Sequence, residues 1–184
     1  AYPTTAPSDL TFAHAANALA AYQITAFART DSRFEQFVNG DDTALSNAEL
    51  QGALEFFGPA GCNRCHSGST FTDGEFHNIG LAQFGPGKGH GPSGTDDFGR
   101  AGITGDPSDR YRFRTPTLLN IELTAPYGHV GQFSDLRSMV EHYRNTTDSL
   151  LSYGIGAHVD DPALIPTLTP NTAAVLARIS ERVD

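Results

Sequence analysis

The sequence contains no tryptophan, one methionine and only two cysteines among its 184 residues. Two cysteines are too few for a structural zinc site built from four soft ligands, and no βαβ pattern of a thioredoxin-like redox protein surrounds them. Basic residues are also few, because 12 Lys and Arg face 21 Asp and Glu, for a formal net charge of −9. No basic cluster occurs, so nucleic acids and anionic membrane surfaces are poor partners. No apolar run approaches the ~20 residues that cross a bilayer, and we expect no membrane span.

The two cysteines lie in one motif, because residues 62–66 read Cys-Asn-Arg-Cys-His. The thiols of Cys62 and Cys65 can each add across one vinyl group of a haem, and His66 is placed to ligate the iron from the proximal side. A disulfide between residues three apart would close so short a loop that it would stabilise almost nothing. The motif therefore predicts one covalent haem c. Since c-type haem is normally attached outside the cytoplasm, the predicted compartment is the periplasm.

The length predicts a single domain, residues 1–184, large enough to bury a haem together with a hydrophobic core. Hydrophobic residues make up 39% of the chain, while 19 Gly and 11 Pro indicate long irregular loops. We divide the chain into an N-terminal helical arm (1–45), a haem-binding core (46–145) and a C-terminal loop and helix (146–184). The predicted fold class is all-α, a cytochrome c-type haem domain with long irregular loops and at most a short hairpin.

Local signals predict the helices on the N-terminal side of the motif. A long helix is expected after Ser8 or Asp9, because apolar residues from 12 to 27 recur near a 3.6-residue period. Residues 34–38 make at most a short helix. Ser46 and Glu49 have the spacing of a capping box, and the apolar run that follows them ends at residues 58–59, Gly-Pro. This helix leads straight into the haem motif.

The second half of the chain is less regular. Residues 80–109 are dense in Gly, Pro, Asp and Ser, with no period of two or three and a half, so we expect a long loop or a disordered flap over a haem edge or a partner surface. Ser134 is the expected N-cap of a helix over 135–144. A final helix is expected to start at Thr169, with Pro170 at its first position.

The second iron ligand decides the function, since a six-coordinate iron transfers electrons whereas an open iron can bind peroxide. Sequence spacing alone offers five candidates: Met139, Tyr143, His129, His142 and His77. Ligand chemistry alone favours Met139, because a thioether is the common distal partner in cytochromes c. A core methionine at helical spacing is at least as good an interpretation of Met139, and Tyr143 lies one turn later on the same face.

Several segments carry a resemblance to a known family. Residues 113–121 read Phe-Arg-Thr-Pro-Thr-Leu-Leu-Asn-Ile, and residues 127–131 read Tyr-Gly-His-Val-Gly. With residues 76–80 and 105–110, these segments resemble the bacterial dihaem cytochrome c peroxidase and MauG family. The similarity runs over most of residues 10–145. It is to the C-terminal half of that family, the domain that holds the six-coordinate haem.

The resemblance implies a distal ligand. In the peroxidases a methionine lies fourteen residues after the histidine of the Tyr-x-His-x-Gly segment, and in MauG-like members a tyrosine stands there. Counted from His129, that position is Tyr143, and Met139 falls four residues short. The resemblance therefore implies an iron ligated by His66 and Tyr143. Tyrosinate is a hard anionic donor that favours ferric iron and lowers the potential.

The family also binds a calcium ion between its two haem domains. Thr124 and Pro126 match the residues whose carbonyls ligate that ion, so the resemblance implies a calcium site here. Other family features have no counterpart in these 184 residues: a second Cys-x-x-Cys-His motif and the tryptophan that lies between the two haems. Val130 stands where the family usually has an aspartate.

Further side chains are expected near the haem. Arg112 and Arg114 are candidates to bind haem propionates, because a planar guanidinium matches a carboxylate in a bidentate pair. Arg100 and Arg110 lie in the same part of the chain, and at least two of these four arginines are expected to be solvated surface charges. His129 is the candidate catalytic residue, as a haem-edge or distal hydrogen-bonding group.

Two functions follow from these expectations. The first is a haem domain of a dihaem peroxidase or MauG-like oxidoreductase, in which this haem relays or stores oxidising equivalents from peroxide reduced at a partner haem. Its partners would be a second haem-bearing domain or chain and a redox protein donor or protein substrate. The second is a monohaem electron-transfer cytochrome c, alone or in a complex, so whether the chain is part of an enzyme is left open.

Overall fold

The described residues of the computed structural model are 2–27, 31–153 and 167–179. The chain divides into two compact units, Ala1–Ala53 and Leu54–Asp184, and each is described by itself. Within the described residues the regular structure is seven α-helices and one two-stranded sheet. The predicted all-α class with long loops is confirmed. None of the helices in the described ranges has the length and apolar character needed to cross a membrane.

The first unit contains the predicted long helix, α1 (Phe12–Phe27), which follows a 3-10 turn at Pro7–Asp9. The predicted short helix is α2 (Arg33–Val38). Its first turn is fixed by a reciprocal capping box, because the Ser32 hydroxyl accepts from the backbone N–H of Glu35 and the Glu35 carboxylate accepts from the backbone N–H of Ser32.

The third helix, α3 (Asn47–Phe57), begins where the sequence predicted. The backbone N–H of Ser46 donates to Glu49 Oε2 at 2.8 Å, and the backbone N–H of Glu49 donates to Ser46 Oγ at 3.3 Å. Both partners of the predicted capping box are therefore engaged, and two donors of the first turn that have no partner within the helix are satisfied.

The second unit holds the sheet and the remaining helices. Strands β1 (Phe76–His77) and β2 (Phe113–Arg114) pair antiparallel, with Phe76 opposite Arg114 and His77 opposite Phe113. The helices are α4 (Ala101–Thr104), α5 (Leu136–Arg144), α6 (Thr146–Ser152) and α7 (Thr172–Leu176). The sheet joins the segment just after the haem motif to the segment that carries the resemblance.

The core of this unit is rich in aromatic side chains. Its buried apolar residues are Leu81, Ala82, Tyr111, Tyr127, Phe133, Leu150, Tyr153 and Val175. Met139 and Leu136, on α5, pack against this cluster. These contacts hold one face of α5 against the core, as the apolar spacing of the helix predicts.

The segment 80–109 differs from the expectation of a disordered flap. Its backbone is irregular up to α4, yet Leu81, Gln83 and Asp96 are buried. The Gln83 side chain makes the two hydrogen bonds to Asp97 that a neighbouring strand would otherwise make. Its Nε2 donates to the Asp97 carbonyl at 2.7 Å, and its Oε1 accepts from the Asp97 backbone N–H at 3.0 Å. Side-chain hydrogen bonds, which follow no sequence period, thus make this segment part of the core.

Three helix assignments near the C-terminal side also change. The N-cap of α5 is Asp135 and not Ser134, because the Asp135 carboxylate accepts from the backbone N–H of Ser138 at 2.8 Å. The last helix starts at Thr172, three residues after the predicted Thr169. Sequence reasoning missed α6, although Asn145 caps it by accepting from the backbone N–H of Asp148. Part of the predicted loop and helix over 146–184 lies outside the described residues.

Candidate haem site

The haem motif is presented by a tight turn in the second unit. Gly61 has φ +64°, in the left-handed region, and Cys62–Arg64 form a 3-10 turn. A Cβ atom on Gly61 would lie 2.7 Å from the Arg64 guanidinium, so glycine serves both the backbone angle and the close approach. The backbone N–H of His66 donates to the Cys62 carbonyl at 2.9 Å. The turn thereby holds both thiols and the imidazole on one short stretch of backbone.

The imidazole of His66 is oriented by a backbone carbonyl. Its Nδ1 atom lies 3.0 Å from the Phe71 carbonyl oxygen, and a carbonyl can only accept, so Nδ1 carries the proton. The lone pair is then on Nε2, which is the tautomer that a metal-ligating histidine needs. The Phe71 ring lies beside Phe56 and Phe57, with centroids 6.2 and 6.5 Å apart, which anchors the carbonyl's residue in an apolar cluster.

The two cysteines fit covalent attachment of haem. Both are partly buried and they are not joined by a disulfide. Burial raises the pKa of the Cys62 thiol. The Cys62 thiol lies 3.9 Å from the Ala60 carbonyl, the usual range for a weak S–H donor. The donor set of two thiols and one Nε2-basic imidazole matches what a c-type haem requires.

Tyr143, on α5, is brought to this motif by the fold. It is partly buried, and burial is the main cause that raises the pKa of its phenol. The charges of Cys65 and Cys62 raise that pKa further, which places the phenol within electrostatic reach of both thiols. The distal ligand that the resemblance implies therefore lies near the attachment cysteines.

Two other distal candidates on α5 are engaged elsewhere. Met139 packs against the hydrophobic core. His142 is 2% exposed, and both ring nitrogens have partners: Nε2 lies 2.7 Å from the Ile79 carbonyl and Nδ1 lies 2.8 Å from Ser149 Oγ. Because the carbonyl must accept, Nε2 donates and Nδ1 accepts from the serine hydroxyl. In this arrangement His142 is a structural histidine that links α5, α6 and residue 79.

The remaining two histidine candidates each pair with an aspartate. His77 Nε2 lies 2.9 Å from Asp73 Oδ2, and Cys65, Asp73 and His77 present ligand atoms within 4.8 Å of one another. Burial alone would raise the pKa of Asp73, but hydrogen bonds from Thr115, His77 and the backbone outweigh it and lower that pKa. His77 is therefore held next to the motif by a carboxylate.

His129, the predicted catalytic residue, is about one-third exposed. Its Nε2 atom lies 2.9 Å from Asp97 Oδ2, and its ring stacks on Phe113 with centroids 3.7 Å apart. The carboxylate and the aromatic face together fix the ring plane. Sequence reasoning did not find Asp97 as its partner, because 32 residues separate the two.

The predicted propionate-binding arginines lie in different settings. The Arg114 side chain is exposed, and its guanidinium lies beside Gly74, in the loop that follows the haem motif. Arg112 is half-buried. Hydrogen bonds from Ser108 lower the pKa of Asp106, and the nearby charge of Arg112 lowers it further. Binding of propionates by Arg112 and Arg114 stays a prediction.

The other two arginines are committed to aromatic rings of the same unit. The Arg100 guanidinium lies 4.3 Å from the centroid of the Phe76 ring, and its Nε donates to Asp109 at 3.1 Å. The Arg110 guanidinium lies 4.4 Å from the centroid of the Phe98 ring. These contacts are cation–π interactions that brace the segment before β2.

The two residues matched to a calcium site lie in an exposed turn. The Thr124 hydroxyl donates to the Ile121 carbonyl at 3.1 Å, and Thr124 and Pro126 are both exposed. Their backbone oxygens are the hard donors that calcium prefers, but a complete site needs six to eight oxygens. The calcium site stays a prediction.

Two residues that shape the site were missed. The Phe71 carbonyl sets the His66 tautomer, and no sequence signal marks a carbonyl for that role. Asp73 has a weak signal, since it lies four residues before His77 and forms an ion pair with it.

Comparisons with known proteins give consistent relatives. The chain is 35% identical over 130 residues to the methylamine utilization protein MauG of Methylorubrum extorquens, across 71% of this chain and 34% of that protein. It is 37% identical over 135 residues to the cytochrome c551 peroxidase of Pseudomonas aeruginosa, across 73% of this chain and 38% of that protein. No family model matches the chain.

A solved structure is similar as well. The crystal structure of a MauG-like protein associated with microbial copper homeostasis matches with a TM-score of 0.58 and 31% identity. The match covers 75% of this chain and 41% of that one. The chain therefore spans only a third to two-fifths of the length of these relatives.

Proposed function

The chain belongs to the family of MauG and the bacterial cytochrome c peroxidases, and from this we propose that it is a c-type haem domain whose iron is ligated by His66 and Tyr143. The observation that carries the proposal is the position of the Tyr143 phenol within electrostatic reach of Cys62 and Cys65. The hydrogen bond from His66 Nδ1 to the Phe71 carbonyl leaves Nε2 available to hold the iron of a bound haem.

The chain's own residues explain how this ligand pair would be stabilised. Burial and the neighbouring sulfur atoms raise the pKa of the Tyr143 phenol, so in the haem-free chain it keeps its proton at neutral pH. The positive charge of a ferric iron would replace that proton, because a cation favours the phenolate. A bound haem would supply a one-electron redox centre, whose potential an anionic oxygen ligand lowers.

The role that fits this pair is to relay or store oxidising equivalents that arise from peroxide at a partner haem. The chain has one Cys-x-x-Cys-His motif, so the second haem would be carried by another domain or chain. The electrons would come from a redox protein or a protein substrate. His129, braced by Asp97 and Phe113, would lie at the haem edge as a hydrogen-bonding residue. The proposed compartment is the periplasm, and the proposed calcium ligands are the carbonyls of Thr124 and Pro126.

The ligand assignment is tested with two variants of the haem-loaded chain. Tyr143→Phe removes the proposed donor oxygen and keeps the ring, whereas Met139→Leu conserves volume and leaves the phenol in place. We expect Tyr143→Phe to convert a low-spin ferric signal to high-spin in electron paramagnetic resonance and optical spectra, while Met139→Leu leaves the spin state unchanged. The reverse pattern would assign the iron to Met139.

A second candidate function is electron transfer by a monohaem cytochrome, for which the one haem motif at residues 62–66 is sufficient. Native mass spectrometry, with the covalent haem of each chain counted as pyridine haemochrome, separates the two. A partner chain or domain with a second haem supports the relay role, and peroxide turnover is then the assay. A single chain with one haem and no peroxide turnover supports electron transfer alone.

A further inference from the structure

The second unit contains a buried acid pair that the proposed haem site does not use. Tyr111 is 4% exposed and Asp96 is 5% exposed. The Tyr111 hydroxyl donates to Asp96 Oδ2 at 3.0 Å. We propose that this pair is a redox site, at which Tyr111 gives up one electron while its phenolic proton passes to Asp96.

The chemistry of a phenol explains why the hydrogen bond matters. Removal of one electron makes the phenolic proton strongly acidic, so oxidation of a buried tyrosine needs a base within hydrogen-bonding distance. A carboxylate oxygen is such a base, and a backbone carbonyl is not. In this step the Tyr111 O–H bond breaks, a new O–H bond forms on Asp96 Oδ2, and the electron reduces a one-electron oxidant. A neutral tyrosyl radical and a neutral carboxylic acid remain.

Both partners are held in place by the backbone. The backbone N–H of Tyr111 donates to the Phe98 carbonyl at 3.0 Å, and the Tyr111 ring meets the Phe98 ring edge-on with centroids 5.9 Å apart. Asp96 forms an antiparallel bridge with His90, in which its backbone N–H donates to the His90 carbonyl at 3.1 Å. The proton would therefore move between two fixed oxygen atoms with little rearrangement.

The surrounding charges are compatible with this step. Arg178 and Arg110 lie within electrostatic reach of the Tyr111 phenol. Their positive charges lower its pKa, whereas the negative charge of Asp96 raises it. Burial and the hydrogen bond to Asp96 raise the pKa of Tyr111 to about 12, so the phenol keeps its proton until it is oxidised. The resting pair is thus a protonated phenol facing a base.

The other buried tyrosines provide an internal comparison. Tyr127 and Tyr153 are each 8% exposed, but their hydroxyls donate to the backbone carbonyls of Ile121 and Gln132, at 2.8 and 2.9 Å. Neither carbonyl takes up a proton at neutral pH. Among the buried tyrosines of the described residues, it is Tyr111 whose hydroxyl donates to a carboxylate.

The physiological oxidant in this scheme is the oxidised haem of the same protein, and that part rests on the proposed function. The experiment separates the redox pair from the proposed function with two oxidants, applied to the native haem-loaded protein together with the partner domain or chain that carries the second haem. One is photogenerated tris(bipyridine)ruthenium(III), which needs no haem chemistry, and the other is hydrogen peroxide. The background carries Tyr2→Phe and Tyr22→Phe, which removes the tyrosines of the first unit. Radicals are trapped by freezing and recorded by electron paramagnetic resonance.

With the ruthenium oxidant we expect a tyrosyl radical that Tyr111→Phe abolishes and Tyr153→Phe leaves unchanged. Asp96→Asn keeps a hydrogen-bond acceptor of the same shape and removes the base, and it should slow radical formation by about 100-fold, as loss of a general base does. An unchanged radical in Tyr111→Phe, or an unchanged rate in Asp96→Asn, would overturn the proposal. A Tyr111 radical with ruthenium and none with peroxide would retain the redox pair and refute the proposed peroxide-linked function.

Discussion

The hydrogen bond between Tyr111 and Asp96 predicts a measurable loss of stability in Tyr111→Phe. The substitution keeps the ring, its contact with Phe98 and the left-handed backbone at φ +63°, and it removes only the hydroxyl. Hydrogen bonds to charged groups contribute about 1.5–3 kcal/mol, and here the partner that remains is a buried carboxylate. We therefore expect the free energy of unfolding to fall by about 2–3 kcal/mol at neutral pH.

The pH dependence of stability tests the same side chain in a second way. Burial and the hydrogen bond to Asp96 raise the pKa of Tyr111 to about 12, from an ordinary value of 10.0. A pKa raised in the folded state stabilises the fold below the unfolded value and ceases to do so as pH rises through the folded value. At about 1.4 kcal/mol per pKa unit, the full pH-dependent effect is about 3 kcal/mol, and burial of the phenol is its largest cause, followed by the hydrogen bond to Asp96. The advantage of the natural chain over Tyr111→Phe should be constant below pH ~10 and disappear by pH ~12.

The assay is urea denaturation at about pH 7, 9 and 11, followed by far-ultraviolet circular dichroism. The free energy of unfolding is taken from the midpoint and from the dependence on urea concentration. Tyr153→Phe is the matched control, because it removes an equally buried hydroxyl that donates to the neutral Gln132 carbonyl and should cost about 1 kcal/mol. The reasoning is refuted if Tyr111→Phe costs no more than Tyr153→Phe, or if its cost does not decline between pH 9 and 11.

Three further predictions concern the second unit. His142→Leu should reduce the free energy of unfolding by about 2–4 kcal/mol, because the partly buried Ile79 carbonyl and Ser149 hydroxyl lose the buried imidazole as their hydrogen-bond partner. A reduction of less than about 1 kcal/mol by the same assay would contradict this. Gly80→Ala should cost about 1–3 kcal/mol in thermal denaturation, since φ is +69° and the new Cβ would lie 2.6 Å from Thr146 Cγ2. Because the pKa of Asp73 is lowered in the folded state, its carboxylate stabilises the fold at pH values above the ordinary pKa of an aspartate, and this stabilisation is lost as the pH falls through the lowered pKa. His77→Gln removes one cause of the lowered pKa, so the unfolding midpoint of this variant should depend less on pH in the acid range.

Local features of the chain were predictable because their physics is local. The haem motif needs only five consecutive residues, since two thiols and the following imidazole act through one turn of backbone. The capping box of Ser46 and Glu49 is also visible in sequence, because its partners are three residues apart. By the same logic the capping side chain of Asp135 should have been chosen over Ser134, and the missed α6 carried an Asn145 cap three residues before Asp148.

The irregular segment 80–109 shows where such reasoning stops. Its composition indicated a loop, and most of it is one, but the sequence contains no period that reveals the hydrogen bonds between the buried Gln83 side chain and the Asp97 backbone. Nor does it reveal that Asp96 meets Tyr111, fifteen residues away. Both contacts depend on how the chain returns on itself, and residues with no fixed spacing make them.

Local sequence patterns also could not choose between the two candidate distal ligands on α5. Met139 and Tyr143 lie four residues apart on α5, so helical periodicity places both on one face and cannot separate them. The sequence by itself determined the Cys-x-x-Cys-His motif, and it predicted His66 as the proximal ligand and the helix that carries both distal candidates. The tertiary structure decided that Met139 packs against the aromatic core while the Tyr143 phenol lies within electrostatic reach of the two thiols. One turn of helix separates two side chains by ~5 Å along the axis, which is enough for Met139 to contact the core and for Tyr143 to lie near the haem motif.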